Sequence, residues 1–121
     1  MPAITRLDYV GVPAEDTARA AAFYADVLEL RRDDHSDAEF WIGDTCISIW
    51  EPAKFGMPFA PQKNAHLALH VDDVAAARKE LEAKGVEFAG DILDSGVCHM
   101  TFFTDTEGND LMLHSRYAPA A

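Results

Sequence analysis

The sequence predicts an α+β fold made of two βαβββ modules carried on one chain of 121 residues. Three observations carry that expectation. The stretch 65–73, Ala-His-Leu-Ala-Leu-His-Val-Asp-Asp, alternates as a strand and then meets an acidic helix cap. The same device stands 57 positions earlier, where Tyr9 matches His66, Ala14 matches Val71 and Asp16 matches Asp73. After each helix, short alternating segments are separated by turn residues, as in a small antiparallel meander. A repeat of this size reads as a duplicated supersecondary unit; a solenoid would need three or more shorter copies.

Taken in order, residues 7–13 form the first strand and Asp16 caps the first helix. Ala20, Phe23, Tyr24, Val27 and Leu28 then fall at i, i+3, i+4, i+7 and i+8, an apolar stripe for the core. Residues 29–38 are polar and hold a short edge strand and a loop. Residues 39–42, the turn Gly43-Asp44 and residues 45–50 read as a hairpin. Alternation puts Phe40, Ile42, Ile47 and Ile49 under the helix and leaves Trp41, Cys46, Ser48 and Trp50 on the opposite face.

Pro52, Gly56, Pro58 and Pro61 break up the next segment, so residues 53–63 are read as a linker between module one, about 4–52, and module two, about 64–117. In module two, Leu67, Leu69 and Val71 share the aliphatic face of a strand, with His66, Ala68 and His70 on the other. Val74, Ala77 and Leu81 mark a helix that ends at Gly85. Its pairs Arg78 with Glu82 and Glu80 with Lys84 lie at i, i+4 and read as a solvated face. Residues 86–88 suggest a short strand, 90–96 a loop and 97–103 a further strand. The turn 105–109 then leads into residues 110–114, with Leu111 and Leu113 as the core pair and Asp110, Met112 and His114 facing away.

Composition excludes several classes of function. A formal net charge of −11 without a basic run argues against nucleic acid, whose phosphates need Lys and Arg patches. No apolar run reaches the ~20 residues of a membrane span, and the N-terminus lacks a secretory hydrophobic region. A cytoplasmic location is the default expectation. Cys46 and Cys98 match no zinc spacing and read as small buried hydrophobes.

The segments Tyr9-Val10-Gly11-Val12, Phe23-Tyr24, Val27-Leu28, residues 66–73 and Asp105-Thr106-Glu107-Gly108-Asn109 together resemble the vicinal oxygen chelate superfamily. This is the group of glyoxalases, extradiol dioxygenases and bleomycin- and fosfomycin-resistance proteins. The closing turn is similar to the family's Asp-Pro-x-Gly-Asn pattern, with Thr106 where proline is usual. The resemblance covers nearly the whole chain, read as one domain over 1–121. It implies cup-shaped mixed sheets and a homodimer. Catalytic members hold a divalent metal through four inward side chains, and those positions fall on Tyr9, Ser48, His66 and Met112.

Of these only His66 is a good ligand, since phenol, hydroxyl and thioether hold such ions poorly at neutral pH. His70 shares the face of His66 but stands roughly 13 Å away along the strand. His99 or His114 would complete a metal site with His66 only if their strands neighbour its own. What the chemistry-bearing face does offer is Tyr9, Trp41, Trp50, His66, His99, Phe103 and Met112. Ser48 and Thr101 add small polar contacts. Such a lining suits planar or cationic ligands through stacking, cation–π and sulfur–aromatic contacts.

The expected function is therefore a small-molecule-binding protein that sequesters a drug or metabolite without a cofactor. Two alternatives stand beside it. One is a metal-dependent lyase, transferase or dioxygenase of the same superfamily, using one divalent ion. The other is a metal-free enzyme with His66 or His99 as general base and Tyr9 as hydrogen-bond donor.

Overall fold

Eight strands make two four-stranded mixed sheets, one in each half of a computed structural model that describes residues 2–119. The chain divides into two compact units between Ala60 and Pro61. Unit one contains β1 (Val10–Pro13), α1 (Thr17–Ala22), β2 (Arg31–Arg32), β3 (Glu39–Ile42) and β4 (Thr45–Trp50). Unit two contains β5 (Leu67–His70), α2 (Val74–Ala83), β6 (Ala89–Asp94), β7 (Cys98–Thr104) and β8 (Asp110–Arg116). The strand orders are β1-β4-β3-β2 and β5-β8-β7-β6, the same topology twice. In both, the first strand runs parallel to the last and the other pairs are antiparallel.

The repeat extends to backbone detail. Asp16 caps α1 with φ −133° and ψ 101°, and Asp73 caps α2 with φ −133° and ψ 102°. Each carboxylate accepts the N–H three residues on, Arg19 at 3.1 Å and Ala76 at 3.0 Å. Such caps satisfy donors that the first helical turn leaves without a carbonyl.

The helices are not equivalent. α1 continues into a π turn over Phe23–Val27, closed by Leu28 N–H to the Phe23 carbonyl at 3.1 Å. The wider turn keeps the adjacent aromatics Phe23 and Tyr24 both buried, and Tyr24 packs on Phe40 with ring centroids 6.0 Å apart. No glycine ends this helix. Glu29 takes the left-handed conformation instead, at φ 56°, an uncommon one for a residue with a Cβ.

In unit one Phe40, Ile47 and Ile49 are buried on the core face of the sheet as alternation predicts, joined by Val12, whereas Ile42, expected with them, is exposed at the end of β3 beside the turn. In unit two Leu111 and Leu113 are buried opposite their partners Leu67 and Leu69, which are half-buried. Cys46 and Cys98 are free, buried thiols, and burial is the first cause that pushes the Cys46 thiol up.

Three local expectations are corrected. The residues before Gly56 are not plain linker: Pro52–Phe55 forms a 3-10 turn with proline at its start, ended by Gly56 at φ 73°. The strand expected at 86–88 lies instead at Ala89–Asp94, because Gly90, at φ 72°, sits inside a register shift between Ala89 and Leu93 and does not end the strand. Arg78, expected in solvent, has a side chain only 18% exposed. It donates to the Gly90 carbonyl and to Thr101 Oγ1, both at 2.9 Å, and lies 4.9 Å over the Phe88 ring. It ties α2 to β6 and β7. Arg78→Ala is expected to lower stability by ~1–2 kcal/mol in urea unfolding, against under ~0.5 kcal/mol for Lys79→Ala on the exposed side.

Candidate functional site

On the face of unit one opposite the helix, cross-strand register brings Gly11 beside Ser48 and Pro13 beside Trp50. Tyr9 precedes β1, and the chain after β4 returns through Phe55 and Met57. Together Tyr9, Gly11, Ser48, Trp50, Phe55 and Met57 line a cleft of about 460 Å³. Trp50 and Phe55 stand with ring centroids 6.1 Å apart at 59°. The volume lies in the range of small-molecule sites, and the walls are mainly apolar, with Ser48 as a polar contact.

Gly11 keeps the floor of this cleft open. A Cβ there would meet Trp50 Nε1 at 3.6 Å and Tyr9 Cε2 at 3.9 Å, ordinary contact distances. Its φ is not positive, so the glycine is not required by the backbone. A larger side chain at this position would enter the space between the two rings.

Of the residues expected to line a cavity, Tyr9, Ser48 and Trp50 therefore meet. Trp41 shares their face but is engaged elsewhere: its Nε1 donates to Asp33 Oδ1 at 2.8 Å, and Arg31 lies 5.9 Å from its ring. That indole N–H is the first cause holding the Asp33 carboxyl below the usual range. Gly11, Phe55 and Met57 were not expected, since Phe55 and Met57 fall in a proline-rich segment with no alternation to assign a face.

In unit two, His66 and Met112 lie on the open face as expected. The His66 ring meets Phe102 edge-on at 5.2 Å, and Phe102 is paired with Met112. His66 Nε2 stands 3.7 Å from Asp110 Oδ2. The Asn64 N–H, first, and the Lys63 ammonium hold the Asp110 carboxyl below its usual range.

Thr101, Phe103 and His99 do not lie on the face that the sequence predicts for them, although Phe103 still borders the cleft that holds His66 and Phe102. Thr101 pairs with Leu113 and Phe103 with Leu111, so all three side chains alternate onto the side of the helix. Thr101 and Phe103 are buried there, Thr101 accepting from Arg78 and Phe103 against Phe88 at 5.1 Å. Both faces of β7 carry large apolar residues, Met100 and Phe102 on one and Phe103 on the other, so composition does not choose between them. Only the pairing with β8 does.

His99 lies at the end of the sheet, 3.4 Å from Asp94 and 4.6 Å from the Tyr117 ring. Tyr117 donates its hydroxyl to Asp94 Oδ1 at 2.7 Å, which pushes the phenol up and the carboxyl down. The neutral phenol is thus favoured in the fold. This contribution is complete below the unfolded pKa of tyrosine and is lost as pH rises through the higher folded one. Ultraviolet titration should show one tyrosine ionising above the ordinary range, returning toward it in Asp94→Asn.

The alternative metal arrangement is also tested by register. His114 stands opposite His70, four positions along β8 from Asp110, and His99 occupies the other face, so neither neighbours His66. Among the described residues no three His, Cys, Asp or Glu side chains are placed to hold a metal ion. The four family positions, Tyr9, Ser48, His66 and Met112, supply a phenol, a hydroxyl, one imidazole and a thioether, a donor set that does not fit a divalent ion.

Two four-stranded mixed sheets of the same topology, each with its helix, define an α+β protein built from a duplicated βαβββ module. A family model described as Glyoxalase/Bleomycin resistance protein/Dioxygenase superfamily matches residues 6–113, and the chain belongs to that superfamily. The uncharacterized protein YaeR of Escherichia coli (strain K12) is 29% identical over 129 residues, spanning 96% of this chain and 100% of YaeR. TnmS3, an antibiotic binding protein from Streptomyces sp. CB03234, has the same fold with a TM-score of 0.75 at 22% identity, over 96% of this chain and 99% of its own. FosX, a fosfomycin resistance protein from Listeria monocytogenes, also matches with a TM-score of 0.75, at 20% identity over 94% and 93% of the two chains. No helix among the described residues is long and apolar enough to cross a membrane.

Proposed function

We propose that this chain is a small-molecule-binding protein whose unit-one cleft takes a planar, heteroaromatic ligand without a metal. The observation that carries this reading is the open floor at Gly11 between the rings of Tyr9 and Trp50, with Phe55 and Met57 on the rim. Flat apolar walls hold a flat ligand by stacking and sulfur–aromatic contact, each worth about 0.5–1.5 kcal/mol beyond buried area. Ser48 supplies a hydrogen-bonding contact that fixes orientation. An antibiotic-binding protein on the same fold supports the assignment of binding to this architecture. The metal-dependent reading needs imidazole and carboxylate donors at positions where this chain has Tyr9, Ser48 and Met112.

Proflavine, a planar heteroaromatic cation, tests the reading. Added to protein in EDTA, it should quench Trp50 emission saturably. Trp50→Phe should bind it severalfold more weakly with an unchanged melting temperature. Absence of saturable quenching by proflavine and by neutral heteroaromatics of its size would reject the assignment.

We further assign a homodimer in the cytoplasm. Tyr9, Phe55 and Met57 are 59%, 70% and 46% exposed, an apolar rim of the kind a second copy covers. Two unpaired thiols suit a reducing compartment. Light scattering at micromolar concentration should give twice the chain mass of 13.3 kDa, and a monomeric mass would refute the dimer.

A further inference from the structure

The cleft of unit one has no charged side chain in its own lining, yet a carboxylate stands one strand beyond it. Glu39 on β3 is the cross-strand partner of Ser48, and alternation puts its side chain on the open face with Trp41. Directly paired residues on one face hold their Cβ atoms roughly 5 Å apart, so the Glu39 side chain flanks the Ser48 side of the cleft. We propose, resting on the reading of that cleft as a binding site, that its ligand carries a positive charge and that Glu39 is the residue that selects for it.

The chain gives this carboxylate a partner but no counter-ion. Glu39 is half-buried, and its Oε2 accepts the Cys46 thiol at 3.5 Å, a neutral donor. Burial first, and then that hydrogen bond, push the thiol up, so Cys46 keeps its proton at neutral pH and holds the carboxylate without cancelling its charge. Among the described residues no ion pair reaches Glu39. Asp33, the other carboxylate near Trp41, is differently placed: the Trp41 N–H is its first partner, and His35 and Arg31 stand beside it.

Glu39 therefore leaves a negative charge uncompensated next to an apolar, aromatic cleft. A cation stacked between Tyr9 and Trp50 with its charged end toward Ser48 is attracted to that carboxylate across partly buried surface, where water and salt screen less than at an open one. The ring faces of Tyr9 and Trp50 add cation–π attraction. A neutral ligand of the same shape has only the stacking, and an anion is repelled.

The test titrates two planar tricyclic heteroaromatics of nearly the same size into protein in EDTA, by calorimetry in mildly alkaline buffer. One is 9-aminoacridine, a cation under these conditions, and the other is acridine, which is neutral. The cation should bind the wild type roughly fivefold to twentyfold more tightly than acridine, with an affinity that falls as salt is added. Glu39→Gln keeps the length of the side chain and an oxygen for the Cys46 thiol. It should remove most of that preference at an unchanged melting temperature, and acridine should bind it as it binds the wild type. Glu80→Gln, the same change of charge at an exposed position on α2, should leave both affinities unchanged, and Gly11→Leu should abolish both. If neither compound binds saturably, the reading of the cleft fails and this inference with it. If both bind and Gly11→Leu blocks them, but the cation is not preferred, Glu39→Gln keeps the preference or Glu80→Gln lowers it equally, the cleft stands and selection by Glu39 is overturned. Binding of the cation that survives Gly11→Leu overturns it as well.

Discussion

Leu111→Ala is expected to destabilise the protein by ~2–5 kcal/mol, seen as a fall of the order of 10 °C in thermal unfolding. Leu111 has 0% exposure in the middle of β8. Its neighbours on the helix face are Leu67 on one side and Phe103 on the other, both fixed by strand pairing. Truncation removes the buried methyls and leaves a cavity that the paired backbone cannot collapse into. Leu69→Ala should cost less, because Leu69 is half-buried and its loss opens onto solvent. Met112→Ala, one residue along from Leu111 on the other face, should cost under ~1 kcal/mol. Equal losses at Leu111 and Met112 would show that the two faces of the second sheet have been exchanged.

Gly11→Leu is expected to abolish ligand binding in the unit-one cleft while leaving the fold intact or slightly firmer. The backbone at Gly11 is ordinary strand, and a Cβ meets its nearest neighbours at 3.6 Å and beyond. Replacing glycine at a compatible position removes freedom from the unfolded chain, worth about 0.4–1 kcal/mol. The rest of the leucine side chain then occupies the gap between Trp50 and Tyr9. A ligand that must stack there loses its contacts outright, a change of about a hundredfold or more in affinity if two stacking contacts and their buried area go together. Gly11→Ala, which adds a single methyl at ordinary contact distance, should fall between the two.

Much of the fold was legible because it is periodic. Asp16 and Asp73 stand at the same place in two copies of one pattern, and both cap their helices with matching dihedrals. The hairpin Glu39–Ile42 and Thr45–Trp50 was legible to the residue, since Gly43 and Asp44 separate two clean alternations. Failures came where period two carries no preference. In β7 apolar side chains occupy both faces, so His99, Thr101 and Phe103 could be placed only by their register with β8. Gly90 was read as a break although glycine at positive φ also makes a bulge within a strand.

The site was legible in part for the same reason. Ser48 and Trp50 alternate in β4, Tyr9 stands just before β1 in phase with Gly11, and the three share one cleft. Phe55 and Met57 stand among Pro52, Gly56 and Pro58, where no alternation assigns a face, and Gly11 offers no side chain to notice. Trp41 alternates correctly, yet a local hydrogen bond to Asp33, eight residues back, draws it away. Asp110 was placed on the open face from its alternation with Leu111, but its grip by Asn64 and Lys63 depends on a turn that sequence alone does not fix.

The central claim, a metal-free aromatic cleft in unit one, is tested most directly by calorimetric titration of proflavine into wild-type and Gly11→Leu protein, both in EDTA. Saturable heat of binding is expected for the wild type and none for Gly11→Leu, with equal or higher melting temperature in the variant. Binding that is unchanged in Gly11→Leu, or that disappears in EDTA and returns with added Zn, Ni or Mn, would contradict it.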